Sequence, residues 1–180
     1  MISDDSQNPS PADFAAVDWR RVDTLQWTQP RRFVRRWELN DGDQPVAALR
    51  WRGPWRPGFD AVTRGGAWQI DRSFWLGLDL RRPGEEEPEI RVRASWLGRA
   101  RIERSQGEAV RWRRDGWGFS RRRIETAEGT PLIHFQMDFG FFRHDGQIAI
   151  ESEARSLPDL EPLILVGWGL LVSAHRQHAH

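Results

Sequence analysis

Between Pro162 and Ala174 the chain reads Pro-Leu-Ile-Leu-Val-Gly-Trp-Gly-Leu-Leu-Val-Ser-Ala and carries no charged side chain. Its flanks look like helix ends. Asp159 or Leu160 can cap, Glu161 suits the positive end of a helix dipole, and Pro162 is tolerated in a first turn where its missing N–H has no partner. His175 and Arg176 close the other end. A bilayer core needs about 20 apolar residues, so the run is too short for a membrane span. A surface helix would show a polar stripe, and this one has none, which requires burial on every side. Gly167 and Gly169 weaken helix propensity but remove bulk, letting neighbouring elements approach the backbone. The pattern predicts a helix over about residues 160–175, with Leu163, Leu165, Val166, Gly167, Trp168, Leu170 and Leu171 in the core.

The chain before this helix is punctuated as short strands, because apolar and polar residues alternate with period two and Gly, Pro, Asn and Asp recur every several residues. Phe33, Arg35, Trp37 and Leu39 fall on one face of such a run. Asn40-Asp41-Gly42-Asp43 is a predicted hairpin turn, and residues 45–52 return from it. Further strands are expected at 61–64, 67–72, 75–81, 89–94, 99–104, 109–113, 118–123, 132–139 and 147–150. Pro83-Gly84-Glu85-Glu86-Glu87-Pro88 reads as a solvated loop. About ten strands followed by one wholly apolar helix imply an all-β barrel wrapped around that helix.

The order of a Trp-Glu-Leu strand with an Asp-Gly turn (Trp37-Glu38-Leu39, Asp41-Gly42), a Leu-Arg-Trp strand (Leu49-Arg50-Trp51), a Gly-x-Trp strand (Gly66-Ala67-Trp68) and the closing apolar helix (Leu163 to Val172) resembles the tubby C-terminal-like superfamily. That superfamily includes the tubby proteins, the phospholipid scramblases and the LURP-one-related proteins. The likeness covers Leu25 to Ala174 and lies in order and pattern. It implies a closed antiparallel β-barrel of about twelve strands around a central hydrophobic C-terminal α-helix. It also implies binding of phosphoinositides or other anionic lipids, and calcium-linked lipid handling in the scramblases. Those functions vary among members, so the fold alone does not deliver an activity. The competing fold is a lipocalin-like barrel carrying a small apolar ligand in an open cavity. There Gly-x-Trp stands near the first strand and the helix packs outside the barrel with an amphipathic face.

At 180 residues and 21.0 kDa the chain is one domain's worth. Residues 1–18 hold four aspartates and no arginine, and are expected to form an acidic disordered leader rather than a signal peptide. The domain is expected over 19–176, with a short tail at 177–180 and a cytoplasmic location, peripheral at a membrane if lipid is bound. The chain has 27 basic residues, all arginine, against 26 acidic ones. Bulk charge therefore gives no case for a polyanionic partner, and nucleic acid is not expected. Without lysine or cysteine, lysine nucleophiles, thiol catalysis, disulfides and thiolate metal sites are excluded.

No nucleophile elbow, phosphate-cradling glycine loop, zinc-protease or dinucleotide motif is present, so no enzyme activity and no cofactor are expected. His134, Asp138, His144 and Asp145 form a compact His/carboxylate grouping, read as a strand histidine and a turn rather than a metal site. Asp41-Gly42-Asp43 lacks the ligand spacing of a calcium loop. Arginines cluster at 20–21, 31–32, 35–36, 113–114 and 121–123. Arg31, Arg32, Arg35, Arg113, Arg121, Arg122 and Arg123 are the candidate lipid- or anion-binding residues, with exposed tryptophans such as Trp55 seating at a headgroup interface. Consecutive arginines on a strand point to opposite faces, so each pair offers one guanidinium per side. The alternative is that these arginines serve cross-strand ion pairs with Asp and Glu. The expected partner is an anionic membrane lipid or a protein bound through this surface.

Overall fold

A computed structural model describes residues 9–30, 35–73, 77–94, 99–116, 120–139 and 144–178. Twelve strands follow in order: β1 (Thr24–Thr28), β2 (Arg36–Asp41), β3 (Gln44–Trp51), β4 (Gly58–Thr63), β5 (Gly66–Ser73), β6 (Gly77–Arg81), β7 (Ile90–Ala94), β8 (Ala100–Arg104), β9 (Val110–Arg114), β10 (Arg121–Glu125), β11 (Pro131–Phe139) and β12 (His144–Ile150). Among the described residues one α-helix, α1 (Leu160–His178), follows the strands. Each strand pairs antiparallel with the next, and β12 closes onto β1. Closure leaves no strand edge to aggregate, which suits a sheet of such short strands.

The period-two pattern selects the inward face. Trp37 lies opposite Leu49, Leu49 opposite Ala61, and Ala61 opposite Trp68, so buried residues of successive strands meet on one side of the sheet. Ile70, Leu80 and Ile90 continue that register around the wall. The β2–β3 hairpin turns through Gly42, whose φ of 58° is the left-handed geometry such a tight turn requires.

Helix α1 fills the lumen. Leu163, Ile164, Leu165, Val166 and Trp168 are all 0% exposed, although they point in every direction around the helix. Trp168 packs against Trp27 of β1 with ring centroids 6.5 Å apart, Gly167 faces Phe135 of β11, and Gly169 faces Ile70 of β5. Contacts to three separate parts of the wall put the helix inside the barrel, as its uniform apolarity requires. Leu170, expected in the core, is half-buried. The helix runs past the expected end at 175 to His178. Among the described residues no helix is long and apolar enough to cross a membrane.

Two expectations change. Strand β1 was not foreseen, although Leu25 and Trp27 alternate with polar neighbours and are fully buried. The segment from residue 9 to 18, expected within a disordered leader, is ordered. Ser10 caps a short turn over Pro11–Asp13, the Ala15 N–H donates to the Pro45 carbonyl at 2.9 Å, and Phe14 is buried. One aromatic side chain and one backbone bond to β3 secure a stretch whose composition reads as solvated.

Candidate functional site

Alternating strand direction sends the connections to two ends of the barrel, and these ends differ in chemistry. At the end where α1 begins, the connections at 42–43, 64–65, 82–89, 105–109 and 126–130 contain no aromatic residue and carry Asp43, Glu85, Glu86, Glu87, Glu89, Glu108 and Glu128 against Arg64 and Arg82. Beneath them the start of the helix is seated by a polar cluster. Arg104 of β8 donates from Nε to Asp159 Oδ2 at 2.6 Å and from Nη2 to Asp159 Oδ1, and both side chains are buried. Glu161 accepts from Trp19 Nε1 at 3.1 Å, Trp68 Nε1 at 3.2 Å and Thr63 Oγ1 at 2.8 Å.

Arg82 stacks on the Trp68 ring at 3.6 Å and lies 3.7 Å from Glu89, whose carboxyl burial pushes up while Arg82 pulls it down. These residues line a cleft of about 380 Å³. Asp159 is already engaged by Arg104, and Glu161 by Trp19, Trp68 and Thr63, so these carboxylates tie the start of the helix to the wall and to the segment before β1. The cluster around Asp159 was not visible in the sequence, because Arg104 stands 55 residues away in an ordinary strand pattern.

The opposite end, toward which α1 runs, is rich in arginine and aromatic residues, with Asp115 as an acidic residue in its connection at 115–120. Trp55, in the connection at 52–57, is 95% exposed and is the one large hydrophobic side chain so exposed among the described residues. Arg56 beside it and Arg99, between β7 and β8, are exposed. Arg35 is also exposed and stands over the Trp51 ring at 4.3 Å, so the indole holds its guanidinium without neutralising it. Arg52 differs, being engaged by Asp60 and Asp71.

The sequence-derived arginines separate into distinct settings. Arg31 and Arg32 lie outside the described residues. Arg113 and Arg123 face outward and converge on Glu125 at 3.4 Å and 2.8 Å, and Arg123 also reaches Asp115 at 3.3 Å. Glu125 is fully buried beneath them, so this pair matches the ion-pair alternative. Arg121 is exposed on the same strand. Arg122 alone turns inward and is 7% exposed, and burial first, then the charge of Arg114, lowers its pKa. His134 bridges Asp115 at 2.9 Å and Glu151 at 3.2 Å, while Asp138 accepts from Gln136. Among the described residues no group of three His, Cys, Asp or Glu is placed to hold a metal ion.

Comparison with protein-family models, with curated proteins and with solved structures finds no match for this chain.

Proposed function

We propose that this barrel binds anionic phospholipid headgroups, docking end-on with the rim that carries Trp55, Arg35, Arg56 and Arg99 against the bilayer. The observation that carries the reading is Trp55, 95% exposed beside the exposed Arg56. An indole is costly to leave in water and favourable at the boundary between headgroups and acyl chains, where its N–H stays hydrated. Arginines around it meet phosphates with two parallel hydrogen bonds. Net charge is only +1, so polarity rather than total charge orients the molecule: the acidic connections of the other end face away from an anionic surface.

The sequence extends the contrast. Trp75 falls between β5 and β6, Trp96 between β7 and β8, and Trp117 between β9 and β10, all outside the described residues. The resemblance to tubby-like proteins supports the same ligand class, as an expectation carried from that family.

Co-sedimentation with phosphatidylcholine vesicles, with and without phosphatidylserine or a phosphoinositide, tests this at low and high salt. Binding is expected on anionic vesicles alone, falling with salt. Each of Arg35→Gln and Arg56→Gln is expected to weaken it about fivefold, from roughly 1 kcal/mol per arginine near the surface. Trp55→Ala is expected to weaken it further without lowering the melting midpoint. Equal binding to neutral vesicles, or full binding by a variant that combines Arg35→Gln, Arg56→Gln and Trp55→Ala, overturns the reading. Arg123 is not a suitable test position, because its removal would uncover the buried Glu125 carboxylate.

A further inference from the structure

Trp55 stands on a loop with little freedom of its own. Residues 53–58 read Gly-Pro-Trp-Arg-Pro-Gly, and Pro54 and Pro57 fix φ on either side of the Trp55-Arg56 pair. The loop is also tied at its base. The Arg52 N–H donates to the Gly58 carbonyl at 3.1 Å, and the Arg72 N–H of β5 donates to the Pro57 carbonyl at 3.3 Å.

The Arg52 side chain adds a strut across the sheet. It leaves the end of β3, passes over β4 at Gly58, and donates from Nη2 to the Ile70 carbonyl of β5 at 3.1 Å and to Asp71 Oδ1. A Cβ at Gly58 would collide with Arg52 Nη2 and with the Ile70 carbonyl oxygen, and would lie 3.3 Å from Arg52 Cζ. Glycine therefore opens the crossing. The far end of the strut is itself held. Arg81 lies 3.3 Å from Asp71, and Arg50 pairs at 3.1 Å with Asp60, the other carboxylate facing Arg52.

We infer that Arg52 is a positioning residue for docking: crossing over Gly58 to Ile70 and Asp71, it fixes the loop so that Trp55 meets the bilayer as a preformed anchor. The inference rests on the membrane docking proposed above. The Arg52 guanidinium is engaged by the wall, so it acts through the loop and not by meeting a phosphate. A loop ordered before contact loses no backbone freedom on binding, and affinity rises by what that ordering would have cost.

The chain holds no cysteine, so Trp55→Cys accepts one polarity-sensitive aromatic label, which replaces the indole at the tip. Without vesicles, the anisotropy of the label reports loop motion on the nanosecond timescale. With phosphatidylserine vesicles, its emission reports entry into the interface. Both are compared in the labelled parent and after adding Arg52→Gln, Arg52→Lys or Gly58→Ala, below the lowest melting midpoint. Arg52→Gln is expected to lower the anisotropy and to weaken vesicle binding about tenfold, the order of one residue's backbone freedom. Gly58→Ala is expected to do the same with every charge in place. Arg52→Lys, a single compact donor where a fork stood, is expected to follow them although it keeps the charge. Unchanged anisotropy in Arg52→Gln and Gly58→Ala overturns the inference. So does lowered anisotropy at parental vesicle affinity, or full affinity in a loosened Arg52→Lys, which would give Arg52 a direct phosphate contact. A wild type that does not co-sediment with these vesicles removes the docking reading and the inference with it. A wild type that binds while the variants bind equally removes the inference alone.

Discussion

Gly167→Leu is expected to lower stability by about 3 kcal/mol or more, at the upper end of what overpacking costs and a large share of a typical domain's total. A Cβ at this position would sit 2.8 Å and 2.9 Å from Cε1 and Cε2 of Phe135, and closer to Cζ. Phe135 cannot yield easily. It is 1% exposed and packs against Trp112 with ring centroids 5.2 Å apart. Interiors at crystal-like density have no space into which two large rings can retreat, so the added side chain must displace the helix or the wall.

Gly169 provides the control. A Cβ there would meet Ile70 Cδ1 at 3.3 Å, the end of a flexible side chain, and alanine would gain about 1 kcal/mol of helix propensity. Gly169→Ala should therefore melt near the wild type, and Gly167→Ala well below it. Chemical denaturation of the three variants checks the order. A Gly167→Leu midpoint equal to the wild type's would mean that the helix does not occupy the lumen.

Gly167 also shows how far the sequence can be read. A helix without a polar face and with two glycines announces burial among close neighbours, and the alternation from Trp37 onward announces the wall that surrounds it. Both signals are local, each contained within one element. Strand β1 was lost because Leu25 and Trp27 stand between loops rich in Asp and Arg, too few to register a period, and closure onto β12 is a contact between residues far apart in the chain.

The candidate site was legible only in kind. Clustered arginines and an exposed Trp55 can be listed from sequence, but the partners that decide their roles come from other strands. Arg113 and Arg123 are drawn to Glu125, while Arg122, between Arg121 and Arg123 in the same strand, is turned to the opposite face. The polarity of the two ends becomes visible only when strand direction sorts the connections.

The cluster that seats the helix yields the other large effect. Asp159→Ala is expected to cost about 3–5 kcal/mol, the penalty for leaving a buried ion without its partner. Arg104 is 6% exposed at the side chain and reaches both Asp159 oxygens from Nε and Nη2. With the carboxylate gone, its remaining acceptor is the Glu108 carbonyl at 3.2 Å, which offers a dipole and no charge. The backbone bond from Leu163 N–H to Asp159 O at 3.0 Å survives the substitution, so the loss is one of charge pairing and not of helix initiation. Asp159→Asn, which keeps the shape and one acceptor, should fall between the two.

The double variant Arg104→Met with Asp159→Leu separates the cost of a broken pair from the worth of an intact one. Removing both ions also removes both desolvation penalties, so this protein should recover most of the stability lost by Asp159→Ala. Urea midpoints of the four proteins, at low and high salt, provide the measurement, and the single-variant loss should change little with salt because buried charges are weakly screened. A loss below about 1 kcal/mol in Asp159→Ala would place the pair in the class of exposed bridges and contradict its burial. A double variant no more stable than the single would mean that the helix depends on these two ions for its position and not merely for charge balance.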